Sequence, residues 1–359
     1  MRINYLLKWL DSPVPGRRRK ALEQLTKHAI RTPSQIDQIY PRIKQLIKDS
    51  DWSVRSTLLK SLTELALVKQ EILPETLEVI KESINDEFPN VRSTAIFCLA
   101  KLIAKYKDLA QDTHTIDTAL ERLRDENNNV KEAALRLLLE LSRINSDILQ
   151  KKFNEVYGLA NHEIASIRKR VLEVFNENFE NIPEDQLANV ISLYYEKLKD
   201  PDYFVREYAL KGFCRLVELD KVKIDETLIR EVRKRLRDLY IPVKRATIEL
   251  IRKILDKNIF YADNFLDIIS NEILLKEKSL NFKLEVLRLL YDYIDKIPQG
   301  IIHKHNIPRS LDKLEKATVE KSAKREEIKK LARVILEQKL GYTVEIRRKK
   351  FGEPDQKEK

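Results

Sequence analysis

The chain has little of what sheets and tight turns require, with 6 Gly and 12 Pro among 359 residues. Backbone positions with positive φ draw heavily on Gly, so this scarcity excludes a sheet-rich or loop-rich protein. Cysteine is nearly absent too. Cys98 and Cys214 stand far apart, each inside an apolar helical run. They form neither a disulfide framework nor a CxxC motif, and they read as small buried hydrophobes in a reducing, cytoplasmic setting. No apolar run approaches the roughly 18 residues of a membrane span. The apolar piece from Tyr5 to Leu10 is too short for a secretory signal core. A single Met beside a charged fraction of 35% fits a protein from a hot environment, such as a thermophilic archaeon.

What remains is rich in Leu, Ile, Lys, Glu and Arg, the composition of a helical protein with ample apolar residues for a core. The chain also repeats itself. Six segments align: Asp49 to Arg55, Asp86 to Arg92, Asp125 to Lys131, His162 to Arg168, Asp200 to Arg206 and Asp238 to Lys244. A weaker copy opens the chain at Arg18 and another ends at Lys283 with Glu277 in the acidic position. Basic residues at 18, 55, 92, 131, 168, 206, 244 and 283 are spaced 37 to 39 apart. After each comes a run with helical apolar periodicity, such as Val205, Ala209, Leu210 and Phe213. Before each turn lies another, as from Ile224 to Leu236, with Asp225 as its expected cap. Neither helix of a pair buries its apolar face alone, so the pairs must stack. The expectation is an all-α, α-α superhelix of about eight to nine helical hairpins. It forms one solenoid over residues 1–340, followed by a short, flexible, basic extension over 341–359.

A repeat of about 38 residues whose turn reads Asp-x-x-x-x-Val-Arg resembles the HEAT family of helical repeats, over nearly the whole chain. The resemblance implies a ladder between neighbouring repeats built from the turn Asp and the Arg six positions later. Asp49/Arg55, Asp86/Arg92, Asp125/Lys131, Asp200/Arg206 and Asp238/Lys244 match it, with Arg168 following His162. On this reading Arg92 is the cation of Asp86, and the rungs at His162 and Glu277 are weakened.

No enzyme signature accompanies the repeat. GxGxxG, a phosphate-binding loop, GxSxG and HExxH are all absent from the sequence. Five scattered His residues and two Cys give no ligand set, so neither cofactor nor metal is expected. Helical-repeat di-iron hydroxylases use several His-Glu pairs, whereas His162-Glu163 stands alone here.

Two surfaces are candidates. Trp52, Phe88, Tyr203, Phe204 and Tyr240 occupy the links within the pairs, which should line up along one ridge. Aromatics on such a ridge favour protein partners. The net charge of +11 is lopsided, with 29 basic and 26 acidic residues over 1–180 against 39 and 31 over 181–359. Arg230, Arg233, Lys234, Arg237 and Arg245, with Arg347, Arg348, Lys349 and Lys350, form a candidate polyanion patch. Positions predicted to line the inner face alternate in sign, and that is no phosphate track. A non-enzymatic protein-binding scaffold is favoured, with nucleic-acid binding through the basic C-terminal half as the alternative.

Overall fold

The computed structural model describes residues 3–317, 322–343, 346, 350 and 351. Among them the chain is all-α, twenty α-helical segments with short 3-10 and π turns between them. The packing is sequential and antiparallel, an α-α solenoid of helical pairs. Contacts divide the chain into two compact units, Met1–Leu187 and Ala188–Lys359.

In the first unit the long second helices are Pro15–Arg31, Trp52–Val68, Pro89–Lys105, Asn128–Ser142 and Ala165–Asn176. Each packs on the next in chain order. Their partners Ile36–Lys44, Leu73–Ser83, Thr113–Glu121 and Asp147–Gly158 form the other layer. In the second unit Tyr203–Glu218, Ile241–Lys257, Leu280–Tyr293 and Ala323–Val334 play the long-helix part. Glu226–Leu236, Gln299–Lys304 and Ile307–Lys316 are among their partners. A π turn, Ile269–Ile273, interrupts the helical stretch before Glu277.

Local chemistry sets where the helices begin. Asp51 caps Trp52–Val68 by accepting the Ser53 and Val54 N–H groups, and Asp202 caps Tyr203–Glu218 through Phe204 and Val205. Asp225 accepts the Leu228 N–H at 2.9 Å, the cap expected from the sequence. Such caps contribute about 1 kcal/mol each. Pro15 and Pro89 occupy first helical positions, where a missing N–H costs nothing.

The core runs between the two layers. Leu58, Leu59, Leu62 and Leu65 of one long helix and Ala95, Cys98, Leu99 and Leu102 of the next are buried. Burial pushes the Cys98 thiol up to about 11 and the Cys214 thiol to about 12, so both are inert apolar fillers rather than nucleophiles. Small hydroxyls bridge adjacent pairs inside this core. Ser56 Oγ and Thr94 Oγ1 lie 2.8 Å apart, and Asn178 donates to Ser142 Oγ at 3.0 Å. Both ends of each bond are satisfied, and that makes the buried polar groups tolerable.

Candidate functional site

The turn between the helices of each pair is where the repeat's polar residues converge. Arg55 donates from Nε and Nη2 to both oxygens of Asp86, each at 2.8 Å. Arg92 grips Asp125 in the same fork at 2.9 Å, and Arg206 grips Asp238 at 2.8 and 2.9 Å. Planar guanidinium and carboxylate match in this bidentate geometry, the strongest form of charge-assisted pair. The third nitrogen, Nη1, reaches back to the carbonyl six residues earlier: Arg55 to Asp49, Arg92 to Asp86, Arg206 to Asp200 and Arg168 to His162. Each Asp also accepts the N–H two residues on, Asp49 from Asp51, Asp86 from Phe88, Asp125 from Asn127, Asp200 from Asp202 and Asp238 from Tyr240.

The pairing corrects one expectation. The carboxylate partner of Arg92 is Asp125 in the following turn, not Asp86, which belongs to Arg55. Six residues of spacing bring the arginine under its own turn's carbonyl, while its fork points onward. Two further rungs are stronger than their sequences suggest. Arg18, in the weak first copy, makes a full fork to Asp49 at 2.6 and 2.7 Å. Glu277 accepts from Lys244 Nζ at 2.6 Å, its longer side chain reaching what an Asp would.

His162 departs from the pattern in a different way. Its Nδ1 accepts the Ile164 N–H at 3.1 Å, so the ring replaces the turn-closing oxygen of Asp. It offers Lys131 no carboxylate. Burial, then the charge of Lys131, holds the His162 pKa below its ordinary value, with Arg168 adding to this and Glu163 opposing it. At Asp125 and Asp238 burial opposes ionisation, yet the Arg92 and Arg206 forks with the backbone N–H groups outweigh it and hold both pKa values low. These residues are built as joints.

The aromatic row lies on top of the same joints. Phe88 sits over the Arg55 guanidinium at 5.3 Å, and Tyr240 over Arg206 at 5.6 Å. Tyr203 is half-buried between Tyr240 and Phe204, with ring centroids 4.5 and 4.1 Å away. Trp52 and Phe88 remain 38% and 37% exposed, Phe204 and Tyr240 46% each. Sequence reasoning passed over Leu239, which is 91% exposed beside Tyr240, and Ile164, exposed in its own turn. Their position in the aligned turns was the available signal, since they occupy the links that carry aromatics elsewhere.

Among the six described cations of the basic patch, four hold carboxylates. Arg233 pairs with Asp267 at 2.7 Å, Lys234 with Glu231 at 2.8 Å, Arg237 with Glu272 at 2.5 Å and Arg245 with Glu285 at 2.8 Å. Arg230 is exposed beside Tyr261 and Asn264. Lys350 lies over the Tyr342 ring at 5.2 Å, and Phe351 stacks on that ring. Arg347, Arg348 and Lys349 lie outside the described residues.

A pocket of about 370 Å³ lies on the long helices of the first unit. Lys60, Phe97, Glu132, Arg136 and Arg170 line it, one or two from each of four consecutive long helices. Arg136 lies over Phe97, 4.6 Å from the ring centroid. Among the described residues no group of three or more His, Cys, Asp or Glu could hold a metal, and no helix is long and apolar enough to cross a membrane.

Two family models match the sequence. One describes HEAT repeats and matches residues 3–100; the other, non-SMC mitotic condensation complex subunit 1, matches residues 68–192. No curated protein sequence matches. Among solved structures, the crystal structure of an engineered protein superposes with a TM-score of 0.54 at 16% identity, covering 92% of this chain and 87% of that one. A designed armadillo repeat protein in complex with the peptide (KR)4 gives 0.48 at 15% identity, over 59% of this chain and 98% of that one. The first likeness is one of fold.

Proposed function

The chain is a HEAT-repeat protein, and on that premise we propose that it is a non-enzymatic scaffold that holds protein partners through its turn ridge and concave faces. The observation that carries this reading is the exposed apolar cluster at one end of the second unit's long helices. Phe204, Leu239 and Tyr240 are exposed there, with Tyr240 resting on the Arg206 guanidinium and Phe204 against Tyr203. Aromatic rings packed against their neighbours at the surface lose little entropy on binding, the usual character of interface anchors. A match to a model named for a subunit of a larger complex agrees with a partner-holding role.

Nucleic-acid binding through the basic half is the second reading. It has less support, because four of the patch's arginines and lysines already hold carboxylates. Their counterions are internal, and few would be released on meeting a phosphate backbone. A salt titration against random-sequence DNA and RNA separates the readings. The scaffold predicts no sub-micromolar binding at physiological salt; tight binding with a steep slope in log salt would replace it with the nucleic-acid reading.

A further inference from the structure

We propose that the pocket around Phe97 and Arg136 binds an extended acidic segment of a partner protein, carboxylates on either side of one apolar residue. The inference rests on the scaffold reading and gives its first unit a partner chemistry.

Charge bookkeeping points there. Three cations line the pocket, Lys60, Arg136 and Arg170, against the single carboxylate of Glu132. Glu132 is already engaged, accepting from Ser166 Oγ at 2.8 Å and lying 3.6 Å from Arg170. Arg170 also holds Glu173, while its Nε is buried without a hydrogen-bond partner. That leaves Lys60 and Arg136, neither with a carboxylate in ion-pairing range among the described residues. Other cations of these long helices reach carboxylates of a neighbouring repeat: Lys101 holds Glu64, and Arg143, which caps its helix, holds Glu177. Lys60 and Arg136 are two spare cations that share one pocket with an exposed aromatic ring.

Geometry then selects an extended chain over a small anion. Lys60 and Arg136 stand on helices separated by the one that carries Phe97. Adjacent packed helices lie about 8–10 Å apart, so the two axes that carry Lys60 and Arg136 are about 16–20 Å apart and one carboxylate does not serve both. An extended chain rises about 3.3 Å per residue, so carboxylates four residues apart lie about 13 Å apart, and the long Lys60 and Arg136 side chains cover the rest. Between them the apolar face of Phe97, 36% exposed, meets an apolar side chain. The Phe97 ring holds the Arg136 guanidinium beside it, 4.6 Å from the ring centroid, and a carboxylate can pair with N–H groups that no other carboxylate engages.

The test uses the full chain and a fluorescein-labelled peptide, Ser-Glu-Glu-Leu-Glu-Glu-Ser, read by anisotropy at low and at physiological salt. A copy with Lys in place of every Glu is the control. The Glu peptide should bind and weaken with salt, and the Lys peptide should not. Lys60→Ala and Arg136→Ala should each weaken binding about tenfold, the scale of one charge-assisted pair. Arg136→Glu should abolish it. Melting temperatures should stay at the wild-type value, since both side chains are exposed. Leu239→Ser, on the ridge of the other unit, should bind the peptide normally. No binding of the Glu peptide, equal binding of both peptides, or variants within twofold of wild type would overturn the inference. If Leu239→Ser nonetheless loses a native partner, the scaffold reading survives that failure; if neither surface matters, both readings fall.

Discussion

Tyr203 and Tyr240, 37 residues apart in sequence, stack with ring centroids 4.5 Å apart and planes 5° from parallel. The same Tyr240 ring rests on the Arg206 guanidinium that clamps Asp238. One side of this ring pile belongs to the joint between repeats. The other, with Phe204 and Leu239, faces solvent. Ridge and ladder are thus two faces of one construction, and the rings divide between them by burial.

Tyr203→Ala should therefore lower stability measurably. Removing a half-buried ring stacked on two others costs about 2 kcal/mol, part lost burial and part lost ring contacts. Leu239→Ala, at an almost fully exposed site, should change it by less than about 0.5 kcal/mol. Urea denaturation of the two variants checks the division, which fails if their midpoints move alike.

Arg92→Ala removes the fork from Asp125 and leaves that buried carboxylate with only Arg122, 3.8 Å away. Breaking such a pair costs about 3 kcal/mol. Asp86→Ala should resemble Arg55→Ala, since those two are partners, and the Arg55/Asp86 double variant should cost much less than the sum. Double-mutant cycles of Arg92 with Asp125 and with Asp86 should show coupling several-fold larger for the first.

His162→Asp restores the missing carboxylate opposite Lys131 while keeping the acceptor for the Ile164 N–H. A gain of about 1 kcal/mol is expected, seen as a higher denaturation midpoint with an unchanged slope. Loss of stability would mean that the ring's packing outweighs the rung.

Acid should act in two stages. The folded-state pKa of His162 lies below its ordinary 6.5. The unfolded chain therefore binds that proton first, and stability falls as pH drops below about 6.5, levelling off once the folded protein is protonated too. Asp125, Asp238 and Glu277 sit below their ordinary values of 3.8, 3.8 and 4.5. Their contribution is complete above those values and is lost as pH falls through the lowered ones. His162→Asn should remove the first stage and spare the second, read from melting temperature against pH.

Much of this was legible before any coordinates. Basic positions spaced 37 to 39 residues apart, each following an acidic turn, dictate stacked helical pairs, because no other arrangement buries every apolar face. The onward direction of the ladder was not legible, since Arg92 has an Asp both six residues behind and 33 ahead. Only side-chain direction tells which one the fork reaches. Nor was the fate of the basic patch: the partners of Arg233, Arg237 and Arg245 lie 34 to 40 residues on, in the next repeat. Local charge counts overstate free charge wherever neighbours across a repeat neutralise it. The same effect, in reverse, hid the concave pocket. Lys60 and Arg136 sit in a column of alternating sign, and which of its charges are spare depends on which have found mates.

The exposed apolar ridge is the surface proposed to hold protein partners. The most direct measurement is quantitative affinity capture from the native cell extract, nuclease-treated, with wild-type protein, a Phe204→Ala/Leu239→Ser double variant and Arg92→Ala. The account predicts specific proteins retained by the wild type, lost from the ridge variant at unchanged melting temperature, and kept by Arg92→Ala below its lowered one. Equal capture by wild type and ridge variant, or capture that vanishes on nuclease treatment, would contradict it.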